Sequence, residues 1–231
     1  MFLFHFLLVF GGLGDSYVGP NFDIQKVQVR QIQDLGLLVF EMQVRGQAGK
    51  TVPRAKGQME GAPVLGYVFP TDLKPSQVGF GSGQGIVALA VTAHPDFDDT
   101  PLWDENRDGN YGNDGVIYHT HWVVLTEDKR VPGGLSVLAM RKEEMAAVLP
   151  PTAPGMPMYM DSPGFDVRCS GSLLRVLVPM NRLTGDLAFH FDGVTAYMEV
   201  RTQGDFPMLG VYQVYAVASK DLSLPYTVQA E

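Results

Sequence analysis

Cysteine and basic residues are scarce in this chain, and each shortage excludes a class of protein. Cys169 is the single cysteine among 231 residues, so the chain cannot form an internal disulfide. Its 17 Lys and Arg residues stand against 25 Asp and Glu residues, which gives a net charge of −8. No basic stripe is available to neutralise phosphates, and the sequence therefore predicts no nucleic-acid partner.

Sequence motifs with a known catalytic mechanism are also missing. The chain contains no Gly-x-Ser-x-Gly elbow, no His-Glu-x-x-His zinc motif and no dinucleotide-binding fingerprint. A glycosidase-type carboxylate pair stays open, because acids are plentiful and their separation in space is unknown. The sequence favours a binding or structural module over an enzyme.

Long apolar runs are confined to the N-terminus. Residues 1–10 are apolar apart from His5 but too short to span a bilayer, and the small residues 11–14 follow them. This pattern resembles a signal peptide cleaved after Gly14, although no Lys or Arg precedes the apolar run. The alternatives are a buried first strand or a start inside a longer leader. We expect a signal peptide at 1–14, a secreted or periplasmic protein, and no membrane span once the leader is removed.

Turn-forming residues are abundant and indicate an all-β fold. The chain has 26 Gly and 16 Pro, and short alternating runs lie between them. In residues 37–45, for example, Leu38, Phe40, Met42 and Val44 share one face, and residues 22–29 are expected to pair with this run as a hairpin. Only residues 141–149 have a convincing helical composition. The sequence predicts one domain, residues 15–231, built as an antiparallel β-sandwich with one short helix and a long acidic loop.

The acidic loop lies between His94 and His121 and carries seven carboxylates against one base, Arg107. Within it, Asp104-x-Asn106-x-Asp108-Gly109 matches the first half of an EF-hand-like calcium loop, and Asn110 could add its carbonyl oxygen. Gly115 replaces the expected bidentate Glu, so other acids would have to complete the shell. The predicted calcium ligands are Asp104, Asn106, Asp108, Asn110, Asp114, Asp96, Asp98 and Asp99. The alternative is a solvated loop whose Asp and Asn residues form turns without any ion.

Two histidines follow the loop in a run with strand character. His119 and His121 are two residues apart, so their imidazoles point to the same face, a geometry used for zinc, copper or iron. A third ligand could come from His94, from His190 or from a carboxylate of the loop. The residues expected on the same face are Ile117, Val123 and Leu125, and those expected on the opposite face are Tyr118, Thr120, Trp122 and Val124. The alternative is that each imidazole simply bonds a buried carbonyl or a loop Asp.

Methionines alternate in Met156-Pro-Met158-Tyr-Met160. Thioethers in an exported protein can bind Cu(I), but a packed surface loop is the preferred interpretation.

The run Phe22-Asp-Ile followed by Val27-Gln-Val29 and by residues 37–44 resembles the opening strands of DOMON-type and related carbohydrate-binding β-sandwiches. That resemblance covers residues 22–44 and implies a sandwich fold. Some members of that superfamily bind haem through Met and His, and others bind sugars, but no Met or His of this chain aligns with those ligands.

Two hypotheses follow from the sequence. The first is an exported calcium-binding module whose further partner is a carbohydrate or an extracellular protein. The second is a protein or metalloenzyme that binds zinc, copper or iron through His119 and His121 with His94 or His190.

Overall fold

A computed structural model describes residues 13–81, 83–100, 109 and 114–230. The strands of this part of the chain are β1 (Ile24–Ile32), β2 (Leu37–Val44), β3 (Pro63–Pro70), β4 (Ile86–Ala93), β5 (His119–Glu127), β6 (Leu135–Val137), β7 (Met160–Asp161), β8 (Asp166–Ser170), β9 (Leu173–Pro179), β10 (His190–Phe191), β11 (Val194–Val200), β12 (Leu209–Val217), β13 (Tyr226–Thr227) and β14 (Gln229–Ala230). The helices are α1 (Met145–Val148) and 3-10 turns at Leu13–Tyr17, Pro20–Phe22, Gln33–Leu35, Pro75–Val78, Asp114–Val116, Lys142–Glu144 and Met180–Arg182.

The larger sheet closes on itself. Its strands run in the order β4-β3-β11-β12-β6-β5, and β5 pairs with β4, so these six strands form a barrel. The short strand β7 pairs with β5 at Trp122 and Val123. Closure removes the open edges that a flat sheet of this size would expose.

The smaller sheet has the order β14-β1-β2-β9-β8 among the described residues. Strands β1 and β2 form the expected antiparallel hairpin, with Val29 opposite Phe40. The chain turns between them through a 3-10 turn that ends at Gly36, whose φ of 63° is the left-handed conformation that glycine adopts at low cost. The hairpin prediction is confirmed.

The two sheets share an aromatic core. Leu38, Phe40, Met42 and Val44 are almost fully buried on one face of β2, as the alternation predicted. Phe40 packs edge-on against Phe69 of the barrel, with ring centroids 5.5 Å apart, and against Trp122 at 6.3 Å. The smaller sheet therefore covers one outer face of the barrel.

The interior of the barrel forms a second core of different composition. Its buried hydrophobic residues are all Val, Leu, Ala or Met, including Val64, Val123, Met158, Ala196 and Met198. They leave a cavity of about 60 Å³. Met156, Met158 and Met160 line it, so this segment belongs to the barrel interior and not to the surface loop that the sequence suggested.

The all-β prediction is confirmed, but the antiparallel sandwich needs correction. Alternation in a sequence identifies strands with one buried face, and it does not reveal whether the end strands of a sheet meet. Here β4 and β5 meet and close the larger sheet, and β1 pairs with β14 in parallel. The predicted short helix is present as Lys142–Glu144 followed by α1.

The predicted leader lies almost entirely in residues 1–12, outside the described part of the chain. Its removal and the exported location stay predictions. Among the described residues, no helix combines the length and the apolar character needed to cross a bilayer.

Candidate metal centre

Two neighbouring strands bring three histidines to one end of the barrel. His94 follows β4 directly, and His119 and His121 lie on β5. In the antiparallel pairing Thr92 lies opposite His119 and Ala90 opposite His121, so the three imidazoles are neighbours. Two-residue spacing on each strand directs them to the same inward face.

Asp99 completes the group from the segment that follows β4. Its Oδ1 lies 3.3 Å from Nε2 of His94, 3.2 Å from Nε2 of His119 and 3.6 Å from Nε2 of His121. The Nε2 atoms of His94 and His119 are 2.8 Å apart. All four residues are at most 5% exposed. Four ligand atoms thus converge within 4.8 Å of one another, and the group could bind a metal.

The outer nitrogen of each ring is held by another group. Nδ1 of His94 donates to the carbonyl oxygen of Phe97 at 3.0 Å, and Nδ1 of His119 donates to that of Ile117 at 2.6 Å. A carbonyl can only accept, so in each neutral ring the proton lies on Nδ1 and the lone pair on Nε2. Nδ1 of His121 lies 3.0 Å from Oγ of Ser162. Such partners fix the ring orientation and the tautomer of metal-binding histidines.

Burial changes the pKa values of the residues in this group, and with them their charges. Burial lowers the pKa of His121 to about 3, against the opposing effect of the Asp99 carboxylate, so that ring is neutral at pH 7. Burial also raises the pKa of Asp99, but the imidazoles of His121, His94 and His119 outweigh it and hold that pKa well below its usual value. Burial lowers the pKa of His94, but Asp99 and the backbone hydrogen bonds to the ring together raise that pKa above its usual value. An ionised carboxylate is therefore buried among imidazoles, where a cation or a proton must balance it.

The inner nitrogen of His121 differs from those of His94 and His119. Its Nε2 is buried and has no hydrogen-bond partner among the described residues. Such an atom loses its water on burial and gains nothing in return, which is unfavourable. The alternative in which each histidine bonds a buried carbonyl or a loop Asp accounts for Nδ1 of His94 and His119 and for the contacts of their Nε2 atoms with Asp99. It leaves only Nε2 of His121 without a partner among the described residues.

The structure brings together only some of the residues proposed from the sequence. His94, His119, His121 and Asp99 meet, whereas His190 lies elsewhere. His190 is exposed on β10, where its Nδ1 lies 3.0 Å from Oδ2 of Asp72. It was proposed because of its residue type alone, and strand β10 does not carry it to the barrel interior.

Of the other predicted calcium ligands, Asp96 and Asp98 lie outside the group. Oδ1 of Asp96 accepts the backbone N–H groups of Lys56 and Gly57, and Oδ1 of Asp98 accepts both donors of Thr100. Asp114 lies in the 3-10 turn Asp114–Val116. Asp104, Asn106, Asp108 and Asn110 lie outside the described residues, so the calcium loop stays a prediction.

Asp99 was named as a calcium ligand, and a loop carboxylate was also named as a possible third ligand beside the histidines. The structure places Asp99 beside the three imidazoles. Calcium takes six to eight oxygen ligands, whereas this group offers three nitrogens and one carboxylate. Calcium is not favoured here.

Several residues of the centre carried no signal in the sequence. Ser162 and the carbonyls of Phe97 and Ile117 hydrogen-bond the imidazole rings, and these contacts are visible only in the folded chain. Gly115 is another case: a Cβ there would lie 2.2 Å from the carbonyl oxygen of Phe97 and 2.3 Å from that of His94. Its own carbonyl accepts the backbone N–H of His94 at 2.6 Å. A side chain at position 115 would therefore displace the backbone that positions His94.

No protein-family model matches the chain, and neither a curated protein nor a solved structure is significantly similar to it. The DOMON-type resemblance stays a prediction.

Proposed function

We propose that the protein binds one divalent transition-metal ion, zinc or iron, through Nε2 of His94, His119 and His121 and a carboxylate oxygen of Asp99. Imidazole nitrogen with a single carboxylate suits these metals, while Cu(I) prefers thiolate and thioether ligands. The observation that supports the proposal most strongly is the buried Nε2 of His121, which points to the group without a hydrogen-bond partner among the described residues.

The spacing of the ligand atoms is consistent with one shared ion. Ligands about 2.1 Å from a metal lie about 3.0 Å apart when they subtend 90° and about 3.4 Å apart at a tetrahedral angle. The separations among His94, His119 and Asp99 are 2.8 to 3.3 Å, and that from Asp99 to His121 is 3.6 Å. The four atoms all lie within 4.8 Å of one another, and a movement of His121 towards the other three would place them around one ion.

Without an ion, the same group is poorly satisfied. Two Nε2 lone pairs 2.8 Å apart repel each other unless a proton lies between them. One proton would serve His94, His119 and Asp99, but His121 would still have an unbonded nitrogen. A divalent ion serves all four residues at once.

Elemental analysis of untagged protein, purified without a chelator, tests the proposal. We expect about one zinc or iron per chain, and its loss in the variants His119→Ala and His121→Ala. The matched control is His190→Ala, which removes a histidine outside the group and should keep the full metal content. Circular dichroism of each variant separates metal loss from unfolding.

A wild-type protein that takes up no transition metal from metal-supplemented buffer would contradict the proposal. So would full metal content in a folded His119→Ala/His121→Ala double variant. Calcium measured in the same samples tests the loop separately, because calcium lost only in Asp104→Ala and Asp108→Ala would identify a second, independent site.

A further inference from the structure

The barrel cavity reaches the candidate metal centre. His94, Asp99 and His121 line one part of it, and apolar side chains such as Val64, Val123 and Met160 line the rest. His119 is absent from the lining, so it approaches the centre from the side away from the cavity. Any coordination position that the four ligands leave open on the cavity side is therefore accessible to a molecule inside the barrel.

A second buried polar group lies beside this cavity without a partner among the described residues. Thr92 is one of the residues around the cavity, and its buried hydroxyl makes no hydrogen bond to any described residue. Thr92 is only 3% exposed and lies two residues before His94 on the same face of the barrel wall. A buried hydroxyl without a partner is unfavourable, and a polar atom of a bound molecule would satisfy it.

Charge indicates which polar atom this is. Three neutral imidazoles, one carboxylate and a divalent ion leave one positive charge in an apolar enclosure. A buried charge is strongly disfavoured until an opposite charge accompanies it. A singly negative oxygen group would neutralise the centre and could accept a hydrogen bond from Thr92.

We propose that the barrel binds a small molecule with a short apolar body and one anionic oxygen group, with the oxygen on the metal and near Thr92 and the apolar body among the Val, Ala and Met side chains. This inference rests on the proposed metal centre. A short-chain carboxylate has the chemistry that the cavity fits.

The size of the cavity limits the apolar body. A volume of 60 Å³ exceeds that needed for one water several-fold, which gives room for roughly four to six non-hydrogen atoms. Met156, Met158 and Met160 can change rotamer to accommodate a slightly larger body, because their side chains are unbranched and flexible.

Calorimetric titration of the metal-loaded protein with acetate and pentanoate tests the proposal. The two probes share the carboxylate and differ by three methylene groups. We expect pentanoate to bind about tenfold or more tightly than acetate, because burial of each methylene is favourable. Thr92→Val, which removes the hydroxyl at nearly constant volume, should weaken both probes about three- to tenfold and raise the melting temperature of the ligand-free protein.

Ala196→Leu fills the cavity and should weaken pentanoate about tenfold or more, while acetate affinity and metal content stay unchanged. Ala188→Leu is the matched control, because Ala188 is exposed, and it should bind both probes as the wild type does.

A protein that holds the metal but binds pentanoate no more tightly than acetate would overturn this inference and leave the proposed function intact. Equal pentanoate affinity in wild type and Ala196→Leu would do the same. Absence of transition metal overturns the proposed function and, with it, the metal-bound oxygen group, so the two failures are distinguishable.

Discussion

The core between the two sheets and the interior of the barrel are both apolar, but different side chains fill them. Between the sheets, Phe40 contacts the rings of Phe69, Trp122 and Phe189, with centroids 5.5 to 6.3 Å apart. Inside the barrel, the buried hydrophobic residues are Val, Leu, Ala and Met, and a cavity remains. One region is packed with large rigid rings, and the other keeps space among small or flexible side chains.

Strand β5 belongs to both regions. Trp122 and Val124 face the aromatic core, and Val123 and Leu125 face the barrel interior along with the two histidines. The aromatic rings that pack against the outer face of β5 can hold its two histidines in place, while its inner face leaves space for a bound molecule. Under the proposed function, the outer core positions the ligand residues and the inner one receives the bound molecule.

Truncation in each core gives the largest expected effect. Phe40→Ala should reduce the free energy of unfolding by about 3–5 kcal/mol, since it removes a ring at the centre of the packed core. Met198→Ala in the barrel should cost about 2 kcal/mol, near the lower limit for such a change, because Met198 already borders empty space. Urea unfolding of both variants measures the difference. Equal losses would show that the two cores are packed alike.

Replacement of a buried Val by Leu should change stability less than truncation does, and this substitution can be made in both cores. Val176→Leu adds a methylene beside Phe40 and should cost about 1–3 kcal/mol through overpacking. Val68→Leu adds the same group beside the cavity and should change stability by less than about 1 kcal/mol in either direction. Thermal or urea unfolding compares them. A larger loss for Val68→Leu than for Val176→Leu would reverse the assignment of spare volume to the barrel.

The smallest effect is expected on the side of β2 that faces neither core. Glu41 is 3% exposed, and its carboxylate accepts from Arg30 at 2.8 Å and from Arg175 at 2.5 Å. Burial raises the pKa of Glu41, but the hydrogen bonds from Gln28, Arg30 and Arg175 lower it by a larger amount. The pKa therefore lies below its usual value of 4.5. Because the folded pKa is the lower one, this carboxylate stabilises the fold above pH 4.5, and the contribution is lost as the pH falls through the folded pKa.

Glu41→Gln should therefore reduce the free energy of unfolding by about 1 kcal/mol at pH 7, since both arginines are partly exposed. The difference from the wild type should shrink as the pH falls below 4.5. Unfolding curves between pH 3 and pH 8 check this, and a difference that grows towards low pH would contradict it. Metal content should be unaffected, which makes this variant a control for the barrel.

Local patterns predicted the parts of this molecule that depend on neighbouring residues. Alternation identified both faces of β2, and the two-residue spacing placed His119 and His121 on one face. His94 was one of three candidates for the third ligand, beside His190 and a carboxylate of the loop. These predictions needed only the period of a strand and the order of the chain.

Long-range features could not be predicted in this way. Pairing of β4 with β5 and of β6 with β12 closes the barrel, and neither leaves a trace in the local sequence. Asp99 was grouped with the other acids of its loop, because only the fold shows that it turns towards the imidazoles. His190 was a candidate because it is a histidine, but the structure places it away from the other three histidines.

The groups that hydrogen-bond the outer ring nitrogens of the three histidines respond differently to point mutation. Two of them are main-chain carbonyls, at Phe97 and Ile117, and they persist whatever side chain is encoded there. The third is the hydroxyl of Ser162, which one substitution removes. A point mutation at Phe97 or Ile117 therefore leaves the carbonyl that orients His94 or His119, whereas a mutation of Ser162 removes the hydroxyl beside His121 and could change the metal preference of the proposed centre.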